Sequence, residues 1–235
     1  MKISKDKKLC EEYIGKHPVI SISLKGINAA FYEAAFELTV KTIKGAVEKA
    51  GFLKMSDKLD EDEKKEYRAI LDENMSEATL FWSLKNLSEL LEKHYETKVI
   101  LLIDEYDVPL AKAFENGYYD KMVFLIRNLL EQTLKTNNSL KFAVMTGCMR
   151  ISKESIFTGL NNLKVLSITD ERFDEYFGFT DEDVKEMLRY YDREDHYEEM
   201  RNWYDGYRFG STDVYCPWDV LNHCDKIKEN AAAFP

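Results

Sequence analysis

Two adjacent carboxylates, Asp104 and Glu105, directly follow the apolar run Val99–Ile103 (VILLI). If that run is a strand of a parallel sheet, it delivers the pair to its carboxyl end, where ligands of open α/β sheets bind. An aspartate there can hold a hydrated Mg2+ on a nucleotide's phosphates, and a neighbouring glutamate can polarise a water for in-line attack. The same two residues can equally end a strand and cap a turn, since an apolar run followed by Asp-Glu recurs by chance. The deciding partner would be a phosphate-cradling loop of the form GxxxxGK(S/T). None occurs in the 235 residues: the one Gly-Lys pair, Gly15-Lys16, is followed by His17 and has Cys10 where the first glycine belongs.

Other reactive side chains form weaker patterns. Cys10, Cys148, Cys216 and Cys224 make no CxxC pair, and with four histidines no zinc constellation is legible. Cys216 and Cys224 flank His223, a weak metal candidate beside the simpler reading of free, mostly buried thiols in a reducing compartment. His94, His196 and His223 lack a Ser or Cys nucleophile at informative spacing. Cys148 follows a strand–Gly turn and reads as a buried or half-buried structural thiol rather than a nucleophile. The stretch Trp203–Gly210 (WYDGYRFG) offers four aromatics with Asp205 and Arg208, either a ligand platform or a hairpin that packs a small subdomain.

The elements that must position these groups follow from periodicity. His17–Leu24 (HPVISISL) reads as a strand, and Asn28 can cap a helix to about Ala50 with Phe31, Ala35, Leu38, Ile43 and Val47 along one side. Asp60 and Glu63 have capping-box spacing, and Ser76 opens a helix to about Tyr95. The run Lys98–Asp104 is continuously apolar rather than alternating, which predicts burial on both faces of a parallel sheet. A helix over Tyr119–Lys135 and a strand over Leu140–Thr146 follow, then a further strand at Lys164–Ile168, with Asp170 capping the next helix. Thr180–Asp183 is an N-cap signal for two short helices, Trp203–Gly210 a hairpin, and Pro217 a first helical residue. The order β, helices, β, α, β, short α, β is α/β architecture. The expected division is an α/β core over 1–178 and a helical subdomain with an aromatic hairpin over 179–235.

Apolar residues make up 45% of the chain, enough for a sizeable core. The formal net charge of −10 argues against nucleic-acid binding through the phosphate backbone, which needs a basic face. The lysine-rich first ten residues carry no signal-peptide core, and no apolar run reaches the ~20 residues of a membrane span. A cytoplasmic protein is expected.

Four segments together are specific: LLIDEYDVPL (Leu101–Leu110), MTGCMRISKESIFTGLNNL (Met145–Leu163), DERFDEYFGFTDEDV (Asp170–Val184), and WYDGYRFG with YCPWDVLN (Tyr215–Asn222). On these the chain resembles the AAA-ATPase-like proteins of bacteria, P-loop ATPases that often carry a PD-(D/E)xK nuclease-like carboxyl-terminal region. The resemblance implies a P-loop-NTPase-like parallel sheet, with ATP and Mg2+ as ligands of the intact protein. It makes Asp104 the Mg2+-side Walker B aspartate and Glu105 the water-activating glutamate. It places Thr146 at the sensor position and makes Arg150 a candidate phosphate-facing arginine. Asp107 either serves the same acidic cluster or caps the turn before Pro109.

In the family the phosphate loop lies upstream of this segment, so the chain reads as a fragment lacking the Walker A element. The family strand order is 5-1-4-3-2. Assigning His17–Leu24 to strand 2, Val99–Asp104 to strand 3, Phe142–Thr146 to strand 4 and Val165–Ile168 to strand 5 leaves the central strand 1 missing. Three compensations are expected: strands 4 and 5 pair directly, Met1–Leu9 enters the gap, or a second chain donates a strand by self-association. The functional expectation is an ATPase portion that binds Mg-ATP weakly and is inactive alone. The alternative is a non-catalytic interaction or regulatory domain that keeps the ATPase fold.

Overall fold

The computed structural model describes residues 2–148, 156, 157, 160 and 163–228. The chain divides into two compact units, Met1–Leu163 and Lys164–Pro235.

The first unit is built on three parallel strands, β1 (Val19–Ser23), β2 (Val99–Asp104) and β3 (Leu140–Met145), in the order β1-β2-β3. Ile20 lies opposite Leu101, and Leu101 opposite Ala143. This is an α/β unit with a parallel sheet. Its helices among the described residues include α1 (Lys7–Tyr13), α2 (Tyr32–Glu48), α3 (Glu61–Ile70), α4 (Glu77–Tyr95), α5 (Val108–Glu115) and α6 (Tyr119–Leu134). Each long helix buries one stripe at helical spacing: Ala35, Thr39, Ile43 and Val47 on α2, and Leu80, Leu84, Leu87 and Leu91 on α4. Hydroxyls within these stripes return to the preceding turn, as Thr39 does to the Ala35 carbonyl at 2.8 Å and Ser88 to that of Leu84 at 2.7 Å. Burial therefore leaves them with a partner.

The local signals hold at most helix starts. Ser76 caps α4 by accepting from the Thr79 N–H, and Asp60 and Glu63 form a reciprocal capping box on α3. At α2 the cap residue is Phe31, which makes no side-chain cap bond, so the expected Asn28 cap is corrected.

The sheet corrects two further expectations. First, β2 is not buried on both faces. Leu101 and Ile103 enter the core, whereas Leu102 is exposed, as are Phe142 and Val144 on β3 and Val19 on β1. These four share one side of the sheet by register. An apolar run reports only that a strand tolerates burial; what covers each face is decided by the packing of other elements. Second, Lys164–Ile168 forms no strand. The Asp170 carboxylate accepts from the Ser167 N–H at 2.6 Å and its hydroxyl at 3.0 Å, and the Asp170 N–H closes a turn onto the Ser167 carbonyl. Side-chain capture of the local backbone wins over extension, and Asp170 is a turn residue rather than a helix cap. Accordingly β3 does not pair with that segment. Residues Lys2–Lys5 form a 3-10 turn and Lys7–Tyr13 a helix, so the amino-terminal segment does not enter the sheet as a strand either. Among the described residues, the outer edge of β3 has no strand partner.

The second unit holds a three-stranded antiparallel sheet, β4 (Phe179–Thr180), β5 (Asp205–Phe209) and β6 (Thr212–Tyr215), in the order β4-β6-β5. Its helices are α7 (Asp181–Tyr190), α8 (Tyr197–Tyr204) and α9 (Pro217–Lys228). Thr180 and Asp183 form a capping box on α7. The β5–β6 hairpin turns at Gly210, whose φ is +52°; a Cβ there would lie 2.6 Å from the Asp170 carbonyl oxygen, so both backbone and space demand glycine. The core of this unit gathers Val184, Leu188, Met200, Tyr215, Val220 and Ile227.

Among the described residues no helix is long and apolar enough to cross a membrane.

Candidate functional site

Asp104 is the last residue of β2, opposite Ser23 of β1, and its carbonyl accepts from the Leu24 N–H at 2.9 Å. The ladder to β3 then skips one residue. The Thr146 N–H donates to the Ile103 carbonyl at 2.9 Å, and the Tyr106 N–H donates to the Thr146 carbonyl at 3.1 Å. The backbone of Thr146 thus brackets Asp104 and Glu105 from both sides, and the Thr146 hydroxyl donates to Asp104 Oδ1. Glu105 occupies the left-handed region at φ +53°. That conformation is uncommon outside glycine and costs of order 1 kcal/mol, and residues held in it cluster at functional sites.

Asp107 is 2% exposed and stands at the N-cap position of α5, yet makes no side-chain cap bond. Its backbone carbonyl accepts from Leu110 and Ala111, and Pro109 fits the first turn, where its missing N–H costs nothing. Sequence reading missed α5 itself, for which Pro109 was the available signal. Gly147 closes the site from the β3 side. A Cβ on it would lie 2.7 Å from Asp107 Oδ1 and 2.8 Å from the Tyr106 ring. This close approach, unseen from sequence, explains why glycine follows Thr146.

Asp104, Glu105 and Thr146 are therefore brought together at the carboxyl end of β2. Asp104 and Thr146 are exposed and Glu105 half-buried, so the oxygen donors face solvent. Arg150 lies outside the described residues.

The remaining candidates separate. Cys148 is exposed, Cys10 and Cys216 are half-buried and only Cys224 is buried, where burial pushes its thiol pKa up. The expectation of mostly buried thiols, and of a covered Cys148 in particular, is corrected. His94 shares a 2.8 Å hydrogen bond with Ser56, a structural use. In the WYDGYRFG stretch Arg208 reaches Asp213 at 3.1 Å across the hairpin, and Tyr207 is exposed.

The segment that carries this strand end matches a known family. A family model described as "Predicted AAA-ATPase" matches residues 3–157. The chain belongs to this family. The match spans β1 through β3 and so includes the whole Asp104–Thr146 arrangement. The chain is also similar to an "Uncharacterized protein in vnfD 5'region" of Azotobacter chroococcum mcd 1, 33% identical over 137 residues. That match covers 53% of this chain and 24% of the relative, so the chain spans about a quarter of the relative's length. No solved structure matches.

Proposed function

We propose that this AAA-ATPase-like segment supplies the metal-side and water-activating carboxylates of an ATP-hydrolysing site. The observation that carries the reading is the bracketing of Asp104 and Glu105 by Thr146, which presents three oxygen side chains at the end of a parallel strand. Two carboxylates and a hydroxyl are the hard donors that Mg2+ accepts alongside retained waters. When bound, Mg2+ neutralises charge on the nucleotide phosphates. Asp104 holds the metal side, and Glu105 orients a water and draws on its proton. Thr146 fixes the Asp104 carboxylate and reads its state, the sensor role. Arg150 is proposed to face phosphate.

The phosphate-binding half has no counterpart in these residues, because GxxxxGK(S/T) is absent from the sequence. Without a cradle of backbone N–H groups and a lysine, the β- and γ-phosphates lose most of their ligands. This chain by itself therefore binds Mg-ATP weakly and does not turn it over. Isothermal titration with Mg-ATP tests this, and a micromolar dissociation constant overturns it.

The same absence favours a second reading, a non-catalytic interaction domain on the ATPase scaffold. A longer protein in which a phosphate loop accompanies this segment separates the two. Under the first reading Glu105→Gln blocks turnover and leaves nucleotide binding intact; under the second it changes neither.

A further inference from the structure

A second constellation lies wholly within the Lys164–Pro235 unit. His196 ends a 3-10 turn (Glu194–His196) that leads into α8, and Glu199 follows three residues later on the same side of the helix. His196 Nδ1 and Glu199 Oε2 are 2.9 Å apart. From α9, His223 faces them, with its ring centroid 6.0 Å from that of His196. One ligand atom from each residue falls within 4.8 Å of the other two.

His223 makes this more than a surface cluster. Its side chain is 1% exposed, and its Nε2 has no hydrogen-bond partner. Leaving a buried ring nitrogen without a partner is destabilising, so its persistence calls for an unseen partner. The other ring nitrogen, Nδ1, is 3.5 Å from the Tyr204 hydroxyl. That is the outer-shell arrangement in which a ligating histidine is oriented through its second nitrogen. His196 and Glu199 are 28% and 35% exposed at their side chains, which leaves a route for an ion from solvent.

We propose that His196, Glu199 and His223 form a binding site for a first-row divalent cation of the Zn2+ type. Two imidazoles and one carboxylate are a borderline donor set that suits Zn2+ over Mg2+ or Ca2+. With ligand atoms ~2.1 Å from a tetrahedral ion, neighbouring ligands stand ~3.4 Å apart, against at most 4.8 Å here. A tetrahedral ion held by three protein ligands leaves its fourth position for water. The ion ties α8 to α9 and so clamps the second unit. The site is independent of Asp104 and Glu105. It also replaces the weak sequence pattern of Cys216, His223 and Cys224: of those three only His223 takes part, and its partners come from the preceding helix.

The test uses the 235-residue chain, stripped with chelator and then titrated with Zn2+ by calorimetry against a competing chelator, with thermal melts in parallel. The expected result is one Zn2+ per chain and a raised Tm. The partly exposed variants His196→Asn and Glu199→Gln should keep the far-ultraviolet circular dichroism of the parent. They should weaken binding by at least the ~10-fold that loss of even an outer-shell partner causes. Co2+ should give visible d–d bands without a thiolate charge-transfer band. No saturable one-to-one binding, unchanged affinity in both variants, or a thiolate band assigning the ion to the cysteines would each overturn the proposal.

Discussion

Thr146 donates its hydroxyl hydrogen to Asp104 across the β2–β3 boundary, while its backbone holds Ile103 and Tyr106 on either side of the acidic pair. The side chain of Thr146 therefore orients the Asp104 carboxylate, while its main chain fixes the backbone on either side of the pair. Because the site is exposed, the bond between the two side chains adds little to stability, and its worth lies in orientation. Thr146→Val should lower stability by about 1 kcal/mol or less, measured by urea unfolding. In a longer protein containing a phosphate loop, the same change should reduce turnover more than nucleotide affinity. Equal losses in both would remove Thr146 from the sensor role.

Glu105 is held at φ +53°. Glycine relieves that conformation, whereas a β-branched residue aggravates it. Glu105→Gly should leave stability unchanged or raise it by roughly 0.5–1 kcal/mol, and Glu105→Val should lower it by about as much or more. Chemical denaturation of the two variants checks the order. A glycine variant less stable than the parent would show that Glu105 makes stabilising contacts that outweigh its backbone cost.

Gly147 faces Asp107 and Tyr106 too closely to accept a side chain. Gly147→Ala must push the α5 entry away from β3, at a cost of about 1–3 kcal/mol. Loss of amide-exchange protection at Tyr106 and Thr146, measured against the parent, would locate the disturbance. Protection unchanged at both amides would count against the close approach.

Asp181 anchors the second unit by accepting from the Tyr197 hydroxyl at 2.7 Å and the Tyr215 hydroxyl at 3.0 Å, and by pairing with Lys185 at 2.6 Å. Burial acts to raise its carboxyl pKa, but these donors outweigh it and hold the value below the ordinary aspartate range. A depressed folded-state value contributes stability above the unfolded-state pKa, and that contribution is lost as pH falls through the folded-state value. Melting of the parent should therefore lose stability below about pH 4, and Asp181→Asn should flatten that limb. The group is largely solvent-screened, so the effect should be roughly 1 kcal/mol or less. An acid limb unchanged in the variant would assign it to other carboxylates.

The outer edge of β3 and its exposed Phe142 and Val144 form a surface able to pair with another chain. Sedimentation velocity should find concentration-dependent association, weakened by Val144→Lys. A monomer at all concentrations would remove self-association through this edge.

The sequence by itself determined the local features: the strand ending in Asp104-Glu105, the capping boxes at Asp60–Glu63 and Thr180–Asp183, the helix start at Ser76 and the hairpin after Trp203. Each is governed by residues a few positions apart, whose propensities and hydrogen bonds act wherever the chain goes. Only the tertiary structure decided the rest. It left Val19, Leu102, Phe142 and Val144 exposed on one face of the sheet, turned Lys164–Ile168 into a loop held by Asp170, and set Gly147 against Asp107. It also brought His223 to His196 and Glu199, 24–27 residues away along the chain. Burial, close approach and ligand sets depend on which distant surfaces meet, and no local pattern encodes that. For the pair at the end of β2, sequence supplied the carboxylates, and Thr146 gave the Asp104 carboxylate its orientation.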